Sequence, residues 1–240
     1  MITSEVLTWD TEFFGIKVAR INKNCLSPKE FKIIYQELLN KDVKLIYWPS
    51  SIDCECQGEI ANIYNGHLVD VKTTYSTKVN YDNINLNEYK GTTEILNINY
   101  PDEQLFEIAI QCGEYSRYKI DPQIPKNKFE ELYKIWMTKS LSGEMADNVI
   151  VIKKNNITSG LITVYCKDGI GNIGLFGVHD NFRGKGIGGE LINASLKYFK
   201  TKNCKLVKVV TQGKNEAACK LYEKFGFTVQ NKVNFYHFWN

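Results

Sequence analysis

The sequence predicts an α/β protein: a central mixed, mostly antiparallel sheet flanked by helices, with a smaller α/β unit at its N-terminal end. Three observations predict it. Strand-like and helix-like periodicities alternate along the chain, and three strand candidates in a row are joined by the turn-forming pairs Asn155-Asn156 and Asp168-Gly169. A glycine-rich stretch then leads from the last of these strands directly into an amphipathic helix.

The elements follow in order. Ser27-Pro28-Lys29-Glu30 is a capping box with proline at the first helical position, and Phe31, Ile34, Tyr35, Leu38 and Leu39 follow at helical spacing, which predicts a helix over 28–40. Val43 to Trp48 is a short apolar strand stopped by Pro49, a weak helix is expected near Glu55 to Tyr64, and Val69 to Val79 has the Thr, Val and Tyr content of a strand. This β-α-β-α-β unit is assigned to residues 1–85. Asn80 to Lys90 is polar and aperiodic and reads as a linker.

A second domain is assigned to residues 93–240. It starts with a strand (Glu94 to Ile98), a helix (Glu103 to Cys112), a proline-containing loop (Gly113 to Lys126) and a helix (Lys128 to Leu141). The three strands Val149 to Lys153, Gly160 to Tyr165 and Ile170 to Val178 form an antiparallel meander. Helix Gly189 to Lys200, strand Lys205 to Val210, helix Asn215 to Phe225 and two strands, Thr228 to Val229 and Val233 to Trp239, complete it.

Composition excludes several function classes. With 240 residues, 43% of them hydrophobic and 24% charged, the chain is ordinary for a globular protein. A net charge of +3 with acids and bases interleaved gives no electrostatic footprint for nucleic acid. The opening MITSEVLTWD carries acids, and apolar runs such as Leu161 to Cys166 are too short to span a bilayer, so a cytoplasmic protein without a membrane partner is expected. Seven cysteines without a CxxC pair read as reduced thiols. His67, His179 and His237 share no ligand spacing, so no metal is expected.

The chemistry concentrates after Val178, in Asn181-Phe182-Arg183-Gly184-Lys185-Gly186-Ile187-Gly188. Glycines allow several backbone N–H groups to converge on one anion, and the helix that follows adds its unpaired first-turn N–H groups. A P-loop would need Ser or Thr after a lysine that follows the last glycine, whereas Lys185 precedes Gly186. A dinucleotide fingerprint is formally met by Gly184, Gly186 and Gly189, but no acid ends the next strand, Lys205 to Val210.

The remaining option, R-x-x-G-x-G after a strand ending in Val178, resembles the acetyl-coenzyme A loop of GCN5-related N-acetyltransferases, and Asn215 to Phe227 resembles that family's N-x-x-A-x-x-L-Y-x-x-x-G-F segment. On spacing alone Tyr222 is a core tyrosine, since Ala218, Leu221, Tyr222 and Phe225 share one face. The resemblance instead implies that Tyr222 is the general acid beside the thioester sulfur. It also implies that acetyl-CoA is held by Arg183, Gly184, Lys185, Gly186 and Gly188, by N–H groups around Phe176 and Val178, and by Asn215 acting also as a helix cap. A closer resemblance, to dTDP-fucosamine acetyltransferases, rests on Leu7 to Gly15, on Ser116-Arg117-Tyr118 and on Val210-Thr211-Gln212.

That resemblance implies an acceptor amine on a dTDP-linked 4-amino-4,6-dideoxyhexose. Arg117 would pair with the diphosphate, Tyr118 and Phe14 would line the acceptor site, and Asp70 would be the base, with water-relayed proton loss as its rival. Trp9, Phe13 and Phe14 read equally well as core aromatics. Another small amine, a peptide or protein amine, or a non-catalytic acyl-CoA-binding role stay open as alternatives, as do monomer and homodimer.

Overall fold

The computed structural model describes residues 3–78, 92–96 and 103–240. Helix α2 (Pro28–Asn40) forms where its cap predicts. Ser27 Oγ accepts the Glu30 N–H, the Glu30 carboxylate accepts the Ser27 N–H at 2.9 Å, and Phe31, Ile34 and Leu38 turn inward. Ahead of it lie strand β1 (Ser4–Val6), helix α1 (Thr8–Phe14) and strand β2 (Val18–Ile21), where the expected β-α-β-α-β order has a single strand. Gly15, in the left-handed region at φ 69°, ends α1.

Strand β3 (Leu45–Ser51) runs through Pro49 instead of stopping there. Its neighbour β2 pairs only as far as Arg20 with Tyr47, so by Pro49 one side of β3 has no ladder to interrupt. After helix α3 (Gln57–Ile63) comes strand β4 (His67–Lys78). The linker assigned to Asn80–Lys90 lies outside the described residues, as do positions 97 and 98 of the next strand, described as β5 (Thr92–Leu96).

Helices α4 (Glu103–Cys112) and α6 (Lys126–Leu141) flank a short α5 (Arg117–Ile120) in what was expected to be a loop. Strands β6 (Asn148–Lys154), β7 (Ile157–Lys167) and β8 (Ile170–Val178) form the meander. Helix α7 (Ile187–Thr201), strand β9 (Leu206–Gln212), helix α8 (Glu216–Lys224) and strand β10 (Thr228–Trp239) complete the order. The two C-terminal strand candidates are one strand with register shifts after Val229 and after Phe235.

The ten strands among the described residues join one sheet in the order β1-β2-β3-β10-β4-β9-β8-β7-β6-β5. The pairs β2·β3 and β8·β9 are parallel and the others antiparallel. Strand β10 pairs with β3 on one side and β4 on the other, so the sheet runs without a break through both of the units assigned from the sequence. One core lies under α7 and α8, a second under α4 and α6, and a third joins α2 and α3 to β3 and β10.

Cysteine usage departs from expectation. Cys25 and Cys54 are disulfide-bonded across a separation of 29 residues, a pairing in space that neither the odd count nor the lack of CxxC reveals. Among the described residues no helix is long and apolar enough to cross a membrane.

Candidate active site

A parting of two parallel strands makes the site. Strands β8 and β9 pair only from Ile170 with Leu206 to Ile173 with Val209. At that point β8 bulges against β7, between the pairs Ile162–Phe176 and Val164–Ile173, and the Leu175 N–H is taken by Thr163 Oγ1 at 2.8 Å. A side chain at 174 would displace that same Oγ1, because a Cβ there would lie 2.5 Å from it. The N–H groups of Leu175 and His179 thus point to β7, the latter to Ser159 O at 3.0 Å, and strand alternation turns those of Phe176 and Val178 toward the side that β9 has left. Phe176 N–H meets the Cys112 thiol there.

Below the gap opens a cleft of about 440 Å³, lined by Phe176, Val178, Arg183, Gly184, Gly186, Gly188 and Asn215, seven of the eight residues expected to hold acetyl-CoA. Lys185 is the exception: its Nζ bonds Asn181 O at 2.9 Å and lies over the Phe182 ring. Gly186, at φ 84°, caps α7 without a side chain, and the first two N–H groups of the helix, on Ile187 and Gly188, have no intrahelical carbonyl to bond. With the positive end of a 15-residue helix dipole behind them, these groups fit a pyrophosphate. Arg183 stands beside them, its Nη2 2.6 Å from Asp180 and its Nε 3.2 Å from Val178 O.

Above the gap is a second cavity of about 330 Å³. The two share Cys112, Phe176, Asn215 and Ala218, which form the neck between them. Asn215 caps α8, its Oδ1 accepting the Ala218 N–H at 3.1 Å, so one side chain starts the helix and lines both spaces. Tyr222 lines the upper cavity and packs on Phe176, Tyr75 and Phe227 at centroid distances of 6.0, 5.7 and 5.8 Å. Its hydroxyl has no hydrogen-bond partner among the described residues, and burial raises its pKa, which keeps the phenol protonated. Burial likewise pushes the Cys112 thiol up to about 12. Cys112 was read from the sequence only as an inward helix position. Its place at the neck depends on Gly177, where a Cβ would lie 2.5 Å from its sulfur.

The residues expected on the acceptor side gather one layer away from that cavity. Arg117 is half-buried, its guanidinium 4.1, 4.5 and 4.3 Å from the ring centroids of Tyr47, Tyr118 and Phe235, and it bonds the Tyr118 hydroxyl. Its Nη1 is buried without a partner. Asp70, opposite Phe235 in the β4·β10 ladder, feels this charge, but burial dominates and raises its carboxyl to about 7. Asp10 is raised for the same reason against the pull of Arg117. Phe14 stacks on Tyr118 at 6.2 Å, and Tyr118 meets Trp136 edge to face at 6.0 Å. Trp136 lines the upper cavity, whereas Phe14, Asp70, Arg117 and Tyr118 are not among its described lining residues. Beside Arg117, Asp121 accepts from His237 Nδ1 at 2.5 Å and Trp239 Nε1 at 2.9 Å.

Comparison with known proteins agrees with this geometry. Over 137 residues, 57% of this chain and 47% of the relative, the sequence is 31% identical to the spore coat polysaccharide biosynthesis protein SpsD of Bacillus subtilis (strain 168). The chain spans about half the length of the curated relatives it matches. A functionally unknown conserved protein of Staphylococcus epidermidis ATCC 12228 shares the fold at a TM-score of 0.67 and 15% identity, over 98% of this chain and 89% of that one. A GCN5-related N-acetyltransferase from Sphaerobacter thermophilus does so at 0.64 and 12%, over 98% and 75%. The acetyltransferase (GNAT) family matches residues 104–227, just over half of the chain and the very segment that builds the cleft, the neck and Tyr222. The chain therefore belongs to the acetyltransferase (GNAT) family.

Proposed function

We propose that the protein transfers the acetyl group of acetyl-CoA to the amine of a nucleotide-linked amino sugar, a dTDP-4-amino-4,6-dideoxyhexose. The observation that carries this reading is the neck: a glycine-lined cleft and a hexose-sized cavity share Cys112, Phe176, Asn215 and Ala218, and Tyr222 lines the cavity beside them. Membership of the family supports the acyl donor. The role of the Bacillus relative in spore coat polysaccharide biosynthesis supports a sugar acceptor.

The cleft residues Arg183 and Gly184 to Gly188 bind the pyrophosphate, and the pantetheine arm runs past Asn215 to the gap between β8 and β9. The acceptor amine, entering from the upper cavity, attacks the thioester carbonyl. The C–N bond forms, the carbonyl oxygen takes up charge, and the backbone N–H groups on the open edge of β8, at Val178 and, once it leaves the Cys112 thiol, at Phe176, stabilise it. As the C–S bond breaks, the Tyr222 hydroxyl gives its proton to the departing sulfur. Asp70 takes the proton lost by the amine. Its raised pKa of about 7 suits exchange near neutrality; it stands two residues along β4 from Lys72, the partner of the cavity residue Gln212, and outside the cavity lining, so the proton crosses to it through water. Tyr118 and Phe14 back the Trp136 wall, and Arg117 steadies them. Both co-substrates belong to cytoplasmic metabolism, and we place the reaction there.

The test mixes the protein with acetyl-CoA and, separately, dTDP-4-amino-4,6-dideoxyhexoses, free amino acids and lysine peptides. Acetylated product is followed by mass spectrometry and released CoA with a thiol reagent. The dTDP-amino sugars should be acetylated fastest. Faster turnover of a peptide or an amino acid would overturn the acceptor assignment, and failure to bind acetyl-CoA would overturn the whole reading.

A further inference from the structure

We infer, resting on that placement of the acceptor, that the upper cavity takes a single uncharged, hydroxylated ring bearing a weakly basic amine, and leaves every charged group of the acceptor outside. The chemistry of its wall carries this. Among the described residues that line it there is no Lys, Arg, His, Asp or Glu. Hydrogen-bonding capacity comes from Ser140, Thr211 and Gln212, and flat apolar surface from Trp136, Tyr133 and Tyr165. Tyr133 and Trp136 meet edge to face at 4.9 Å, a rigid corner against which the C–H face of a sugar can lie. The half-buried charges Asp10, Asp70 and Arg117 interact with one another and are not part of this wall.

A carboxylate or a second ammonium drawn into such a space loses its water and meets no opposite charge, which disfavours amino acids, polyamines and lysine side chains as acceptors. Hydroxyl groups, in contrast, exchange water for Ser, Thr and Gln partners. The volume sets the same limit: about 330 Å³ holds a hexose ring but not a nucleoside diphosphate as well. An amine on a sugar ring is less basic than that of lysine, because the neighbouring C–O bonds withdraw electron density. More of it is already the neutral nucleophile when it enters.

The test is calorimetric binding to the CoA-loaded protein, with turnover followed in parallel. The probes are the methyl glycoside of a 4-amino-4,6-dideoxyhexose, its dTDP-linked form, glycine and spermidine. The glycoside and the dTDP-sugar should both bind, and spermidine and glycine at least about tenfold more weakly than the glycoside. Gln212→Glu, nearly isosteric and outside the acetyl-CoA cleft, should narrow the spermidine gap by about tenfold and widen that for glycine, with acetyl-CoA affinity unchanged. Spermidine or glycine binding as tightly as the glycoside would overturn the inference. So would a Gln212→Glu protein that binds acetyl-CoA normally and discriminates as before. If the glycoside binds as predicted and nothing is acetylated, the transferase reading fails while the cavity assignment stands.

Discussion

Replacing Tyr222 with phenylalanine separates a core role from a chemical one, because the structure predicts opposite results for stability and rate. The ring keeps its contacts with Phe176, Tyr75 and Phe227 at 6.0, 5.7 and 5.8 Å. Its hydroxyl has no hydrogen-bond partner among the described residues, so removing it breaks no bond within the protein. Stability should therefore change by less than about 1 kcal/mol, or roughly 2–4 °C in Tm for a chain of this size. Loss of a general acid, by contrast, should lower kcat by roughly 10² to 10⁴, about 3–5 kcal/mol of barrier. The assay is CoA release under saturating acetyl-CoA, with calorimetric affinity and a thermal melt on the same preparation. A folded, cofactor-binding variant that keeps more than about a third of wild-type kcat, well outside that range, would return Tyr222 to the core and refute the mechanism.

Further outcomes follow from the same geometry. Gly186→Val forces a β-branched residue to φ 84° at the cap of α7 and should raise the acetyl-CoA dissociation constant at least about tenfold, measured by calorimetry on folded protein. Asp70, with a pKa raised to about 7, accepts a proton only when ionised, so kcat/KM should climb as pH rises through about 7; Asp70→Asn should lose that limb and keep its affinity for acetyl-CoA. A limb unchanged in Asp70→Asn would remove Asp70 from the chemistry. His237 is held neutral at about 4, by burial first and then by Arg117, against the pull of Asp121. Its folded pKa lies below the usual value of 6.5, so its stabilising contribution is complete above about 6.5 and is lost as pH falls toward about 4, by up to about 3 kcal/mol. Urea midpoints between pH 7.5 and 4.5 measure this, and His237→Gln should flatten the difference.

Local chemistry was legible. The Ser27 capping box, the turn pairs of the meander and the glycine loop each depend on a few adjacent residues, and each lies where its spacing puts it. The cleft residues were readable because two continuous segments, 176–189 and 215–221, supply most of them. The upper cavity was not, since its wall brings together Trp136 of α6, Thr163 of β7 and Gln212 of β9, which meet only because β8 bulges at Gly174. Arg117 shows the same limit. As a loop arginine it was expected to pair with the diphosphate of the sugar nucleotide, yet Tyr47 and Phe235, far away in sequence, pack on its guanidinium. The Cys25–Cys54 bond and the course of β3 past Pro49 also depend on distant partners, so no local rule could give them.

The position of β10 has a consequence for how the molecule is assembled. Strand β3 finishes by residue 51, and β10, its neighbour on one side, begins only at Thr228. A chain emerging from the ribosome can build the β6–β8 meander from neighbours, but β1 to β3 have no bridge to the rest of the sheet until Thr228–Trp239 is synthesised. Contacts between segments so distant in sequence are slow to form, so closure of this seam should be a late step in folding. His237 and Trp239 reach Asp121 only once β10 is in place, so the loop that presents Arg117 is locked by the same late event. A nascent chain halted before β10 would hold the glycine-lined cleft nearly finished, beside an Arg117 cluster that has not yet been assembled.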